Sequence, residues 1–340
     1  WDSIQSFWVY LIGAFVAGFC MCMLNCVVNP MLNTLGGGGN KGNQLIQFGG
    51  VLNSFSAVFV TILMGSLIGD ATKAQISQAT PALFIALAIF AIAFVVLLIS
   101  RIPEPAAEAE AAAAKSDKKD PHSAFSFRHF KLGILAIFLY LGVEVGTPTY
   151  ILQYLTSAAD AATPGFGMDA GIAATLVAMY WLLMLVGRLL GGIIAGKVSS
   201  KALLTGVSVA TLVLALVGMF APTDTLVTAF GFEGSTGRFV TCEVPVGIFA
   251  LVLVGLCTSV MWGAIFNLAV EGLGKYTAIA SGAFMTMVCG GGILVPLQGW
   301  IADLSGSFLT SYIVVVVCAA YLLFYALAGS KNVNKDIKTE

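Results

Sequence analysis

The sequence predicts an all-α polytopic membrane protein with about nine transmembrane helices. Of its 340 residues 59% are apolar, and the mean hydropathy is +0.95. The apolar residues gather into stretches long enough to cross ~30 Å of hydrocarbon at ~1.5 Å per residue. Strand periodicity is absent. Only helices and closed barrels satisfy every backbone polar group in lipid, so the stretches read as helices.

Three spans come first, at 7–31, 46–69 and 80–100. A charged segment follows, with Ala-Glu repeats and then Lys115-Ser116-Asp117-Lys118-Lys119-Asp120-Pro121. It is polar and Pro-interrupted, and reads as a flexible linker between two membrane domains, with a stretch of surface helix in the Ala/Glu run. Six spans follow it, at 132–156, 170–196, 202–222, 244–270, 277–302 and 308–329. The division is therefore 1–101, a linker at 102–131, and 132–340.

Lys and Arg set the orientation. Of the sixteen, Arg188 is inside a span, and Lys73 and Arg238 share one side. The remaining thirteen, from Lys41 to Lys338, fall on the linker's side. Positive residues stay cytoplasmic, so the linker and the C-terminus are expected inside the cell, with the chain in a cell membrane of the bacterial inner-membrane kind. Nine crossings then put the N-terminus outside. The chain opens Trp1-Asp2-Ser3, without an initiator Met. Six spans after the linker suggest six before it, so three further spans are expected upstream of Trp1.

The spans hold two charged residues, Glu144 and Arg188. A charge in hydrocarbon costs ~2.5–3.5 kcal/mol on insertion scales, which makes a mid-span carboxylate a functional candidate. Tyr140, Glu144, Thr147, Ile151 and Tyr154 fall within ~80° of helical arc, with Pro148 among them. Hydroxyls, a carboxylate and aromatic faces are what a polyol-binding wall needs. The competing reading is a buried acid bonded to a neighbouring helix. Arg188 lies about two turns from the cytoplasmic end of its span and can snorkel, which suits a gate or a packing role.

Asn25 and Asn29 stand one turn apart on one face, followed by Pro30. They suit sugar hydroxyls or a neighbouring helix equally. Gln47, Asn53 and Ser54 lie among Gly49 and Gly50, which favours a small-residue packing face. Trp181, Trp262 and Trp300 sit within spans, away from the ends where belt tryptophans collect. Trp262, with Asn267 after it, suits stacking on a sugar or packing.

Several classes find little support. Both histidines fall in the linker, and Cys22 and Cys26 have no His or Cys partner nearby, so the thiols read as small apolar groups. Gly36-Gly37-Gly38-Gly39 and Gly290-Gly291-Gly292 lack the following Lys-Ser/Thr of a phosphate loop. The first reads as a flexible cytoplasmic loop, the second as a site of close helix approach. Asn29-Pro30-Met31 has no second copy of the kind an aquaporin needs. A membrane enzyme is weak, because no His/Asp/Glu cluster or nucleophile–base pair lies in the membrane. No cofactor, metal or nucleic-acid partner is expected.

The stretch Trp262-Gly263-Ala264-Ile265-Phe266-Asn267-Leu268, Glu271-Gly272-Leu273-Gly274, then Gly290-Gly291-Gly292-Ile293, Pro296, Gly299 and Asp303 resembles the tenth and eleventh helices of sugar transporters of the fucose permease and glucose/galactose permease type, within the major facilitator superfamily. Leu24-Asn25-Cys26-Val27-Val28-Asn29-Pro30 and Leu52-Asn53-Ser54-Phe55 resemble the fourth and fifth helices. Tyr140-Leu141-Gly142-Val143-Glu144-Val145 resembles the seventh, and Gly187-Arg188 with Gly191 the Gly-Arg signature of the eighth.

The resemblance implies that fold, incomplete, from its fourth helix to its twelfth. It also implies alternating access by two six-helix domains around a midplane sugar site, coupled to a proton or sodium ion. The expected partners are a hexose or deoxyhexose of the glucose, galactose or fucose class, the coupling ion and the bilayer. Asn25, Asn29, Asn53, Tyr140, Glu144, Gln153, Trp262 and Asn267 are then the substrate-binding candidates, Glu144 the ion-coupling candidate, and Arg188 and Asp303 the gating candidates. One departure stands out. Where fucose permease-like members carry a Glu in the fourth helix, paired in function with an Asp in the first, this chain has Asn25. The alternatives are a membrane sugar sensor that does not transport and a facilitator of another small polar solute.

Overall fold

The computed structural model describes residues 7–35, 39–68, 76–100, 122–194, 198–233, 236–334 and 336–337. The helices in order are α1 (Phe7–Leu35), α2 (Gly39–Ile68), α3 (Ile76–Ile99), α4 (Arg128–Thr156), α5 (Ala170–Ile194) and α6 (Ser200–Phe220). A hairpin of β1 (Leu226–Glu233) and β2 (Arg238–Pro245) follows, then α7 (Val246–Val270), α8 (Thr277–Thr286), α9 (Gly290–Ser305) and α10 (Ile313–Phe324). Among the described residues nine helical spans are long and apolar enough to cross a membrane, with α8 and α9 together forming one of them.

The spans are helical because nothing else closes their backbone hydrogen bonds in hydrocarbon. α1 and α3 bury none of their spanning windows against protein. α7 is the opposite case. It packs against α4, α5 and α6, and 78% of its window is buried. α9 and α10 pack on the remaining flank of α4, and α2 runs along α5. Small residues bring these helices close. Gly187 and Gly191 of α5 meet Ser259 and Val260 of α7, and Gly290 lies against the Phe138 carbonyl, where a Cβ would clash. Within the glycine triplet close approach falls to Gly290 alone; Gly291 is in ordinary contact and Gly292 faces open space.

The linker's Ala/Glu run and Lys115–Pro121 lie outside the described residues, as do 36–38 of the first glycine run. At the linker's described end, α4 begins at Arg128 rather than at 132. There Phe127 is buried against Tyr276. His129 Nε2 is 3.0 Å from the Glu271 carbonyl, and the Arg128 amide donates to Asn334 Oδ1 at 3.0 Å. The linker end, the α7–α8 turn and the C-terminal segment therefore lock together.

One expectation is corrected. A two-stranded antiparallel hairpin stands between α6 and α7, in register from Leu226↔Pro245 to Glu233↔Arg238. Gly237 takes the left-handed conformation at its turn, at φ 65°. One face carries Ala229, Gly231, Val240, Cys242 and Val244, and the other mixes Phe230, Phe232 and Phe239 with Thr228, Thr241 and Glu243. The polar/apolar alternation that marks a strand is present in Val240-Thr241-Cys242-Glu243-Val244 and blurred in β1 by its phenylalanines.

Candidate functional site

A cavity of about 370 Å³ lies between α1–α2 and the helices after the linker, within the ~300–1,000 Å³ typical of small-molecule sites. Asn25 and Leu32 of α1, Gln47, Gly50 and Asn53 of α2, Leu141 and Glu144 of α4, Arg188 of α5, and Ser259, Trp262 and Gly263 of α7 line it. Amides, a carboxylate, a guanidinium and an indole thus face one space. That set can hydrogen-bond a polyol and stack on the apolar face of a ring.

Glu144 and Arg188 organise the site. Arg188 Nη2 is 3.4 Å from Glu144 Oε1, with the two side chains 10% and 13% exposed. Arg188 Nη1 donates to the Gly50 carbonyl at 2.7 Å. One guanidinium therefore bridges α2, before the linker, to α4, after it. Position 50 must be small for this, since a Cβ there would sit 2.6 Å from Nη1. The ion pair is long for a charge-assisted hydrogen bond, and such buried pairs offset their desolvation only with good geometry. A ligand or cation can therefore compete for the carboxylate at low cost.

The backbone of Glu144 is held as well. Pro148 has no amide hydrogen, so the Glu144 carbonyl lacks its usual helical donor. Tyr180 Oη of α5 donates to it at 3.1 Å and also meets Thr258 Oγ1 at 3.2 Å. Side chain and main chain of Glu144 are thus both tied to α5.

Arg188 departs from expectation. It does not reach toward the cytoplasmic end of α5 but turns inward to the cavity. It shares that cavity with Asn25, Asn53, Glu144 and Trp262. Trp262 is braced by Phe266, stacked at 5.6 Å, and by Phe284, edge-on at 5.9 Å. Gln47, read as part of a packing face, is a cavity residue.

Other candidates fall elsewhere. Asn267 Nδ2 donates to Ser200 Oγ at 2.9 Å and ties α7 to the start of α6. Tyr140 is fully buried and donates to the Thr258 carbonyl at 3.2 Å. Thr147, Ile151 and Tyr154 are also buried, so the α4 wall of the cavity is Leu141 and Glu144 rather than the longer stripe. Gln153 and Asp303 are exposed and outside the cavity lining. The Asn29 side chain lies outside the described residues. Tyr180 and Gly50 had no marker in the sequence. The Glu144–Arg188 pairing had one, since these are the two opposite charges within the spans.

Comparison with known proteins follows the same lines. The profile of the Major Facilitator Superfamily matches residues 1–296. A glucose/galactose transporter of Brucella abortus is 29% identical over 335 residues, which are 97% of this chain and 74% of that protein. The L-fucose-proton symporter of Escherichia coli is 22% identical over 97% of this chain and 74% of its own length. The crystal structure of a Major Facilitator Superfamily transporter, FucP, in the outward conformation superposes with a TM-score of 0.68 at 20% identity, over 97% of this chain and 78% of that one.

Proposed function

The chain belongs to the Major Facilitator Superfamily, and from that premise we propose that it is a secondary active transporter that imports a hexose or deoxyhexose with a coupled cation. It is a permease rather than an enzyme. The relatives named as glucose/galactose transporter and fucose-proton symporter support a sugar cargo. The cation is a proton or sodium ion. The protein sits in the bacterial inner membrane with its C-terminus in the cytoplasm, in keeping with the bias of Lys and Arg. Its working halves are residues 1–101 and 132–340, joined by the linker.

The observation that carries the reading is the Arg188 bridge inside the cavity. The sugar occupies the space among Asn25, Asn53, Glu144, Arg188 and Trp262. Its hydroxyls bond the amides and the charged pair, and its C–H face lies on Trp262. A cation at the Glu144 carboxylate takes the partner of Arg188 away and loosens its hold on the Gly50 carbonyl. Loading of the site and freedom of the two halves to rock are then one event.

Counterflow in proteoliposomes tests it. Vesicles preloaded with unlabelled glucose, galactose or fucose should transiently concentrate the labelled sugar. If binding of these sugars is measurable but counterflow is absent for all of them, the sensor reading replaces transport. If neither is seen, the cargo is another small polar solute.

A further inference from the structure

Gln47 stands apart among the polar groups of the cavity. It is 4% exposed and lines the space. Among the described residues its amide has no hydrogen-bond partner. The other polar lining groups are differently placed. Arg188 holds Gly50 and Glu144, and Ser259 Oγ donates to the Leu256 carbonyl at 2.6 Å. Asn25 Nδ2 donates to the Met21 carbonyl of its own helix at 3.0 Å, and Asn53 is exposed. Gln44, one turn before Gln47, is bonded to the Gly192 carbonyl. Buried polar groups are hydrogen-bonded as a rule, so an unpaired amide on a cavity wall calls for a partner inside the cavity.

Its place in the cavity is fixed from two sides. On α2 it precedes Gly50, whose carbonyl holds Arg188, by one turn, about 4.5 Å along the axis. Across the seam, a Cβ at Gly192 would lie 3.9 Å from Gln47 Cβ. Gly192 is four residues past Arg188 on α5, about 6 Å along that axis. Both measures put Gln47 one turn beyond the Arg188 bridge, toward the Gly39 end of α2. That end is the cytoplasmic floor of the cavity on the orientation that Lys and Arg favour. Leu32 and Ile46, which also line the cavity, are apolar. An ionised carboxylate only accepts hydrogen bonds and a guanidinium only donates them, whereas an amide does both, as a hydroxyl does.

We propose that Gln47 is a specificity-determining residue of the sugar site, its amide reading one hydroxyl at the end of the sugar that reaches the cavity floor. This rests on the sugar-transport reading above and adds to it the group that selects among sugars. A buried polar group matched by a substrate hydroxyl rejects the analogue that lacks it, because the group is then left unpaired. A sugar deoxygenated at the position facing Gln47 leaves the amide as it stands in the empty site, buried and without a partner.

Calorimetric titration of the full chain with glucose, galactose and fucose, and with the monodeoxy analogues of whichever binds tightest, tests this. In the parent chain one analogue should bind roughly 10-fold more weakly through the lost bond to Gln47. Gln47→Met keeps the length of the side chain and removes its hydrogen bonding. It should weaken the unmodified sugar by a similar factor and bind that one analogue no more weakly than the sugar itself. The other analogues should keep the discrimination they show in the parent chain. Unchanged sugar affinity in Gln47→Met, or an equal loss for the sugar and every analogue, overturns the proposal while leaving sugar binding intact. If none of the three sugars binds the parent chain, the sugar reading fails and this proposal with it. Gln47→Asn, whose amide stops one carbon short, decides the matter if Met is not tolerated. It should lose discrimination against the same analogue, and discrimination equal to the parent's overturns the proposal.

Discussion

Glu144→Gln keeps the shape of the side chain and removes its charge. The Arg188–Glu144 contact of 3.4 Å corresponds to a gross attraction of about 5 kcal/mol at an effective dielectric constant near 20. Most of that offsets the desolvation of two buried charges. What a ligand feels is the loss of a hydrogen bond to a charged acceptor, about 1.5–3 kcal/mol, or roughly 10- to 150-fold in Kd. Two assays on the same proteoliposomes separate the roles of the carboxylate. If Glu144 couples the cation, the variant should still exchange sugar in counterflow yet fail to concentrate it against a gradient. If it only accepts a sugar hydroxyl, affinity should fall by the amount above and gradient-driven uptake should fall with it. An Arg188→Met partner mutation closes the cycle, and the double variant should be less impaired than the sum of the singles. Wild-type accumulation by Glu144→Gln would refute the reasoning and leave Glu144 a structural acid.

Three further outcomes are expected. Gly50→Ala should push the Arg188 guanidinium off the Gly50 carbonyl and abolish counterflow while the protein remains monodisperse in detergent; wild-type counterflow would show that the bridge is dispensable. Asn267→Ala should cost about 1 kcal/mol of stability through the lost bond to Ser200 and leave sugar Kd unchanged, so an affinity loss would return Asn267 to the site. Gln298→Met should raise the unfolding temperature, because both amide atoms of Gln298 are buried without a partner and such a group costs about 1–3 kcal/mol; a lowered temperature would mean that Gln298 has a partner.

The spans were legible because hydrocarbon imposes one rule on every residue within it, and composition alone reports compliance. Glu144 was legible for the same reason: it breaks that rule in mid-span. Asn25, Asn53 and Trp262 carried a weaker signal, polar or amphipathic groups within apolar helices, and the cavity gathers them. Asn267 carried the same signal and bonds a neighbouring helix instead. Sequence cannot separate these cases, because hydroxyls of a sugar and of Ser200 make the same demand on an amide. Arg188 was placed by its distance from the span end, whereas its direction is set by partners on other helices. The hairpin escaped notice although Val240-Thr241-Cys242-Glu243-Val244 alternates as a half-buried strand does, because Phe230 and Phe232 blur the same pattern in β1.

Tyr180 and Arg188 grip Glu144 from one helix, by its carbonyl and by its carboxylate. α4 and α5 are thereby fastened together at the depth of the cavity, and α7 is joined to them through Thr258. What lies across from this block is α2, held there by the Gly50 carbonyl and by Gln44, whose amide donates to the Gly192 carbonyl at 3.1 Å. In the proposed transport cycle this block is the stator, α2 belongs to the rotor, and Glu144 is bolted to the stator. The two side-chain hydrogen bonds to glycine carbonyls at the α2–α5 seam are then the teeth that rocking of the halves has to disengage.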